Sequence, residues 1–468
     1  MSDTAAAAPI GLFDRAIRRI ATVWRDMAST VPDEDQSILG QMRACLHARG
    51  GEVSARNRAA KLAQTYLGLD DKGRRAFLQD LASFDTDPAA ITRAYDAMQA
   101  ATDDGERALS TVALRRALDP PRAKLLTQFT TIPDGMKFLV DLRATLQDLM
   151  KGDPNLAALE SDLKALLANW FDVGFLQLER IDWNSPAVLL ERLVGYEAVH
   201  EIRSWSDLKN RLDSDRRCYA LFHPRMPNEP LIFVEVALVH GLSGSVQKLL
   251  DKKAPLLDPK QADTAIFYSI SNCQQGLAGI SFGNFLIKRV VELLSTEFHN
   301  IKAFATLSPI PGFRKWLDAK LAENDAHLLS DEEAAALRTA APTTGPAPEH
   351  GAEALAAILA RRGWFRDAAM MKAAEPVLIR LAARYLLNES RGTRALDPVA
   401  HFHLSNGARV ERLMALADTS DKGARASATL MVNYLYDPAK IEEYHEDYAG
   451  SGRRNASTAV RRLARGWS

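Results

Sequence analysis

The stretch AIFYSISNCQQGLAGISFGNFLIKRVV, Ala265–Val291, changes character twice along its length. Ala265–Ser271 is rich in β-branched and aromatic residues, the composition of a strand on a pleated, half-buried surface. Asn272–Asn284 then carries Gly276, Gly279 and Gly283, which permit close approach and unusual dihedrals. Phe285–Thr296 places Leu286, Val290, Leu293 and Leu294 on one helical face. Strand, glycine-containing loop and helix in that order aim backbone N–H groups and the positive end of a helix dipole at an anion. The loop is not GxGxxG and has no Lys-Ser/Thr pair, so neither a dinucleotide site nor a Walker-type loop is indicated. A loop whose glycines merely serve turns remains the alternative at this point.

Working outward, Tyr219–His223 and Leu231–Val239 (LIFVEVALV) flank a proline-containing turn and read as a strand pair, and Ile301–Leu307 as a further strand. The second part of the chain is therefore expected to be α/β around a sheet. Residues Asp331–His350 are rich in Ala, Pro and Gly and read as a surface excursion. Helices are expected again at Ala352–Arg362 and Ala374–Leu387. The first third is helical in pattern. Phe13, Ile17, Ile20, Trp24 and Met27 make one apolar stripe, and similar patterns cover Ala59–Leu67, Arg75–Phe84, Ala90–Ala101, Ala108–Leu118 and Gly135–Leu149. Short breaks between them imply a helical bundle. The expected division is a bundle over 1–168 and a catalytic domain over 169–468.

Bulk properties narrow the function. Lys plus Arg equals Asp plus Glu at 59 each, so overall charge argues neither for nucleic acid nor for a membrane surface. Cys45, Cys218 and Cys273 are far apart and lack CxxC spacing, which argues against a disulfide framework or structural zinc and for a reducing compartment. There is neither an apolar run long enough to span a bilayer nor a secretory signal pattern, and the cytoplasm is the expected location.

Three places carry polar side chains suited to chemistry. Ser308 ends a strand and is followed by Pro309-Ile310-Pro311, which holds the chain stiff and fixes the direction of the hydroxyl. No G-x-S-x-G elbow surrounds it, so a hydrolase nucleophile is not indicated, and a plain strand terminator is the bland alternative. His401 and His403 share a side if their segment is extended, and Asn406-Gly407 then turns into a helix carrying Val410, Leu413 and Leu416. Two histidines without a third ligand are weak metal evidence, whereas an imidazole suits proton transfer at neutral pH. Arg453, Arg454, Arg461, Arg462 and Arg465 form a basic tail that reads as a solvated helix face.

Taken together, HPRMPNEPLIFVEVAL (His223–Leu238), Ala265–Val291, LSPIPGFRKWL (Leu307–Leu317) and FHLSNGA (Phe402–Ala408) resemble the malonyl-CoA decarboxylase family in motif, order and separation. The resemblance implies an α-helical oligomerisation domain joined to a catalytic domain of acetyltransferase-like (GNAT) fold. It implies that Ala278, Gly279, Ile280, Ser281, Phe282, Gly283 and Asn284 bind the CoA moiety. Ser281 stands where some members carry an acid. The catalytic pair implied is Ser308 and His403, acting on malonyl-CoA to give acetyl-CoA through an enolate, with no metal or other cofactor. The partners implied are the two CoA thioesters and further copies of the chain. An N-acyltransferase on the same fold, and a non-catalytic acyl-CoA sensor, are the competing readings.

Overall fold

The structure is a computed structural model and describes residues 22–29, 37–47, 51–280, 283–323, 328–342 and 348–465. Phe13, Ile17 and Ile20 of the N-terminal stripe lie outside these residues, as do Ser281 and Phe282. The chain forms two compact units. The first comprises the sequence through Gln177 together with Phe222–Pro230 and the loop from Gln274; the second holds Leu178–Leu221, Leu231–Cys273 and the rest of the chain.

The first unit is helical: Ile38–His47, Glu52–Leu67, Asp71–Ala82, Pro88–Ala100, Asp104–Ala117, Pro121–Phe129, Gly135–Leu149 and Pro154–Trp170. Aspartates start several of these helices. Asp70, Asp103 and Asp153 each accept a bond from a backbone N–H in the following turn, and Asp87 does so with Pro88 at the first helical position. The core is aromatic, with Phe138 packed edge-on against Trp24 and Tyr66 and tilted on Phe129. The sequence pattern finds Gly135–Leu149 to the residue and misses Ile38–His47, Pro121–Phe129 and Pro154–Trp170.

The loop at Gln274 is part of this unit because it lies on the Gly135–Leu149 helix. A β-carbon on Gly276 would collide with the Val140 carbonyl, so close approach there requires glycine. Arg143, buried in the same helix, donates to the carbonyls of Gly276 (2.6 Å) and Ala278 (3.0 Å) and to Glu160.

The second unit is built on a mixed sheet of β1 (Gln177–Ile181), β2 (Arg216–Phe222), β3 (Pro230–Val239), β4 (Thr264–Asn272), β5 (Ala303–Thr306), β6 (Ser308–Pro309), β9 (Arg409–Met414) and β10 (Met431–Tyr436). A separate hairpin joins β7 (Ser390–Arg391) and β8 (Arg394–Ala395). The sheet order is β1-β2-β3-β4-β5-β10-β6, with β9 also on β10. β4 and β5 are parallel and connected through the helix Gly283–Glu297, whereas β3 runs antiparallel to β4 and β10 antiparallel to β5, β6 and β9. The apolar residues of β3 and β4 pack on both faces, which explains their nearly continuous hydrophobic sequence.

One charged residue interrupts β3. Glu235 lies at a register shift against β4 and is bonded at 3.0 Å to Arg211 of the helix Trp205–Arg211, both side chains being 1% exposed. Arg211 also reaches Asp207 at 3.2 Å. Burial pushes the Glu235 carboxyl up to about 8 despite the guanidinium beside it.

Two expectations fail in the C-terminal part. Asp331–His350 is not a plain excursion, because Asp331–Ala340 is a helix whose start is fixed by a reciprocal Ser330–Glu333 capping box. The segment bearing Val410 and Leu413 is a strand, not a helix: both are buried on β9, while Leu416 lies beyond its end. Their spacing of three imitates a helix, but pairing with β10 decides the conformation.

Candidate active site

Ser308 begins β6, opposite Val432 of β10. Two residues apart along β10 lie Tyr434 and Tyr436, so both rings project from one face of the sheet. His403 comes from the helix Pro398–Ser405, which corrects the extended reading of this segment. On a helix, residues two apart diverge, and the two histidines take different partners. His401 Nδ1 bonds the Tyr448 hydroxyl at 2.8 Å, while His403 points at Ser308. They do not converge on a common ligand.

The resulting cluster is buried and continuous. His403 Nε2 is 3.1 Å from Ser308 Oγ, and Ser308 Oγ donates to Thr306 Oγ1 at 2.8 Å. On the other side of the ring, His403 Nδ1 lies 2.7 Å from the Tyr436 hydroxyl. Tyr434 stacks on the imidazole at 4.5 Å. Burial pushes the His403 imidazole down to about 3, so the ring is neutral at physiological pH. With the Ser308 proton on Thr306, the compatible tautomer has His403 donating Nε2–H to Ser308 and accepting from Tyr436 at Nδ1. In that arrangement the histidine is a neutral donor whose far nitrogen accepts a hydrogen bond from a phenol.

Asp397 holds the two halves together. It is fully buried, caps the histidine helix by accepting from Val399 N (3.0 Å) and Ala400 N (2.9 Å), and accepts from Gly312 N (3.3 Å) in the turn after Ser308. A β-carbon on Gly312 would strike the Tyr385 hydroxyl, which itself bonds Asp397. Gly407, at φ +79°, sits against the Ile441 carbonyl with no room for a side chain, and Asn406 donates back to Phe402 O at 2.6 Å. The glycines and the asparagine of the two motifs therefore serve the turns that place Ser308 and His403.

The structure brings Ser308 and His403 together; of the anion loop, Ala278, Gly279 and Ile280 belong to the first unit and Gly283 and Asn284 to the second. Gln275–Leu277 forms a single 3-10 turn, Gly279 takes φ +76°, and Gly283 and Asn284 open the helix Gly283–Glu297. Sequence reasoning missed Thr306, Asp397, Tyr434 and Tyr436. Asp397-Pro398 carries a usable signal, an N-cap residue followed by proline at the first helical position, whereas the tyrosines become visible only once β10 is paired with β6.

Comparison with known proteins fits this geometry. Residues 174–467 match the malonyl-CoA decarboxylase C-terminal domain and residues 84–171 the malonyl-CoA decarboxylase N-terminal domain. The chain belongs to the malonyl-CoA decarboxylase family, a family of carboxy-lyases. Mitochondrial malonyl-CoA decarboxylase of Anser anser anser is 36% identical over 87% of this chain and 83% of its own length, and that of Rattus norvegicus 39% identical over 74% and 72%. Among solved structures, malonyl-CoA decarboxylase of Rhodopseudomonas palustris is 41% identical, with a TM-score of 0.81 over 91% of this chain and 98% of its own. The malonyl-CoA decarboxylase of Agrobacterium vitis is 39% identical, with a TM-score of 0.82 over 91% and 99%.

Proposed function

We propose that the protein decarboxylates malonyl-CoA to acetyl-CoA and CO2, with Ser308 and His403 as the catalytic pair. The observation that carries this is the buried 3.1 Å contact between Ser308 Oγ and His403 Nε2, backed by Tyr436 at Nδ1. Loss of CO2 sends the carboxylate's bonding pair into the thioester, and negative charge appears on the enolate oxygen. A preorganised donor at such an oxygen is worth about 3–4 kcal/mol. Ser308 orients the malonyl group, and His403 gives its Nε2 proton to the α-carbon. A thioester enolate is basic enough at carbon to take that proton from a neutral imidazole. As negative charge spreads into the ring, the Tyr436 hydroxyl bond at Nδ1 strengthens, and a solvent proton then restores Nε2–H. One proton is consumed per turnover, and no metal, flavin or biotin is required.

In this reading residues 169–468 form the catalytic domain and residues 1–168 serve self-association. The acetyltransferase-like assignment is supported by the parallel β4–helix–β5 unit within an otherwise antiparallel set of pairs around it. Ala278–Asn284 would hold the CoA phosphates. Self-association is supported by the helices Pro88–Ala100 and Asp104–Ala117, which bury no residue and leave Tyr95, Leu109 and Val112 exposed. No helix among the described residues is long and apolar enough to cross a membrane, and three buried thiols favour a reducing compartment such as the cytoplasm.

The test is incubation of purified protein with malonyl-CoA alone, followed by mass spectrometry of the thioester. Stoichiometric acetyl-CoA is expected; unchanged malonyl-CoA would overturn the reading. A second expectation comes from the depressed imidazole. With malonyl-pantetheine, which lacks the phosphate monoester that titrates near pH 6, kcat/KM should show no inflection at the ordinary imidazole value of about 6.5. A fall in kcat/KM centred there would mean that His403 works as an imidazolium.

A further inference from the structure

Lys164 lies on the exposed side of the helix Pro154–Trp170, and its ammonium nitrogen would stand 3.3 Å from a β-carbon built on Gly279. The ammonium is thus poised over Gly279, which adopts φ +76°. Its surroundings withhold a counter-charge. On a helix the partners within reach are three and four residues away, and for Lys164 these are Glu160, Ser161, Leu167 and Ala168. Glu160 is the sole acid among them, and its Oε1 is already taken by Arg143 Nη2 at 2.7 Å and Nε at 3.0 Å, with Gln147 at 3.5 Å. Lys164 has no ion pair or hydrogen bond among the described residues.

The loop beneath it is oriented to match. Arg143 draws the Gly276 and Ala278 carbonyls inward. Across a planar trans peptide the N–H points opposite to the carbonyl, so the Gly279 N–H is turned away from Arg143. That N–H has no partner among the described residues, unlike its neighbours: Leu277 N bonds Gln274 O, Ala278 N bonds Gln275 O and Ile280 N bonds Leu277 O. A guanidinium on one side thus strips the loop of outward carbonyls, while a partnerless N–H and a partnerless ammonium remain at Gly279. Both are donors, one is a full positive charge, and together they suit an oxyanion with several oxygens.

We propose that Lys164, a residue of the helical unit, binds a phosphate group of the CoA moiety together with the Gly279 N–H. This rests on the reading of Ala278–Asn284 as the CoA loop and adds to it a cation from the unit whose expected role is self-association. Arg143 is a positioning residue in this arrangement, because it touches only the loop carbonyls and Glu160.

The experiment measures the affinity of the full-length protein by titration calorimetry for acetyl-CoA, acetyl-3′-dephospho-CoA and acetyl-pantetheine, which needs no turnover. For Lys164→Ala we expect acetyl-CoA to bind about tenfold more weakly, the loss of one charge-assisted bond, with acetyl-pantetheine unaffected. Lys164→Arg should retain affinity within about threefold. If the loss persists with acetyl-3′-dephospho-CoA, the bound group is the pyrophosphate; if it vanishes there, it is the 3′-phosphate. Equal weakening for all three ligands would overturn the proposal as a structural effect. Wild-type-like binding by Lys164→Ala, while the wild type still prefers acetyl-CoA to acetyl-pantetheine, would overturn the role of Lys164 and leave the loop reading intact. A wild-type protein that does not distinguish the three would overturn the loop reading itself.

Discussion

Replacing Ser308 by Ala, or His403 by Asn, is expected to lower kcat for malonyl-CoA by roughly 10²–10⁴ while leaving the protein folded. Both side chains are nearly fully buried, at 6% and 2% exposure, yet neither anchors the hydrophobic core. Ser308 bonds Thr306 and His403 bonds Tyr436, so each substitution removes a link of one polar chain and spares the apolar packing around it. The effect should fall on kcat, with KM changed only a few-fold, because the groups act where charge develops. Tyr436→Phe keeps the ring in place and removes the bond at Nδ1, for which about a ten- to hundredfold loss is expected. Steady-state kinetics with circular dichroism on each variant decides the matter. More than a tenth of wild-type turnover in folded Ser308→Ala or His403→Asn would remove that residue from the catalytic pair.

The largest effect on stability is expected at Arg211. Arg211→Leu leaves both the Glu235 and the Asp207 carboxyls without their guanidinium, and breaking a buried pair from one side costs about 3–5 kcal/mol. The pH dependence has a definite sign. Glu235 already has its carboxyl raised in the folded state above its unfolded value, so the folded protein holds that proton more tightly. Its contribution is present below the unfolded carboxylate range and is lost as pH rises through about 8. Removing the guanidinium raises the carboxyl further, so the loss continues above pH 8 and the deficit of Arg211→Leu should be smaller near pH 7 than near pH 9. Urea midpoints at both values measure it. In the double replacement with Glu235→Leu the share of the loss due to Glu235 should be recovered, while Asp207 remains without the guanidinium. A deficit in Arg211→Leu that is independent of pH would show that the stranded carboxyl is not its cause.

The legible parts of the chain are those where a local pattern and the tertiary environment agree. Ala265–Ser271 reads as a strand because nearly all of it is buried on both faces, and β4 extends it by a residue at each end. Gly135–Leu149 reads as a helix because one apolar stripe faces a single core. Where long-range pairing sets the conformation, local spacing misleads: β9 carries buried residues three apart because it flanks β10, whose register also shifts at Asn433/Tyr434. The catalytic candidates could be named from their motifs, but their chemistry could not. The neutral state of His403 follows from burial, to which Tyr434 stacked on the ring and Tyr436 at Nδ1 contribute as neighbours about thirty residues downstream on a strand the sequence did not disclose. Likewise Asp397, which ties the Ser308 turn to the histidine helix, leaves only a capping signature in the sequence.

The way the first unit borrows Gln274–Ile280 has a consequence for synthesis on the ribosome. The helix that bears Arg143 is translated 133 residues before the Gly276 carbonyl it will hold. At about 5–20 residues per second this is roughly 7–27 s during which the nascent helical segment lacks two of the acceptors for that guanidinium. Glu160, which follows Arg143 by only 17 residues, can neutralise the charge in the interval. The helices are thus able to collapse early around a paired arginine, and the surface that receives the loop is finished late, when the chain beyond β4 has emerged.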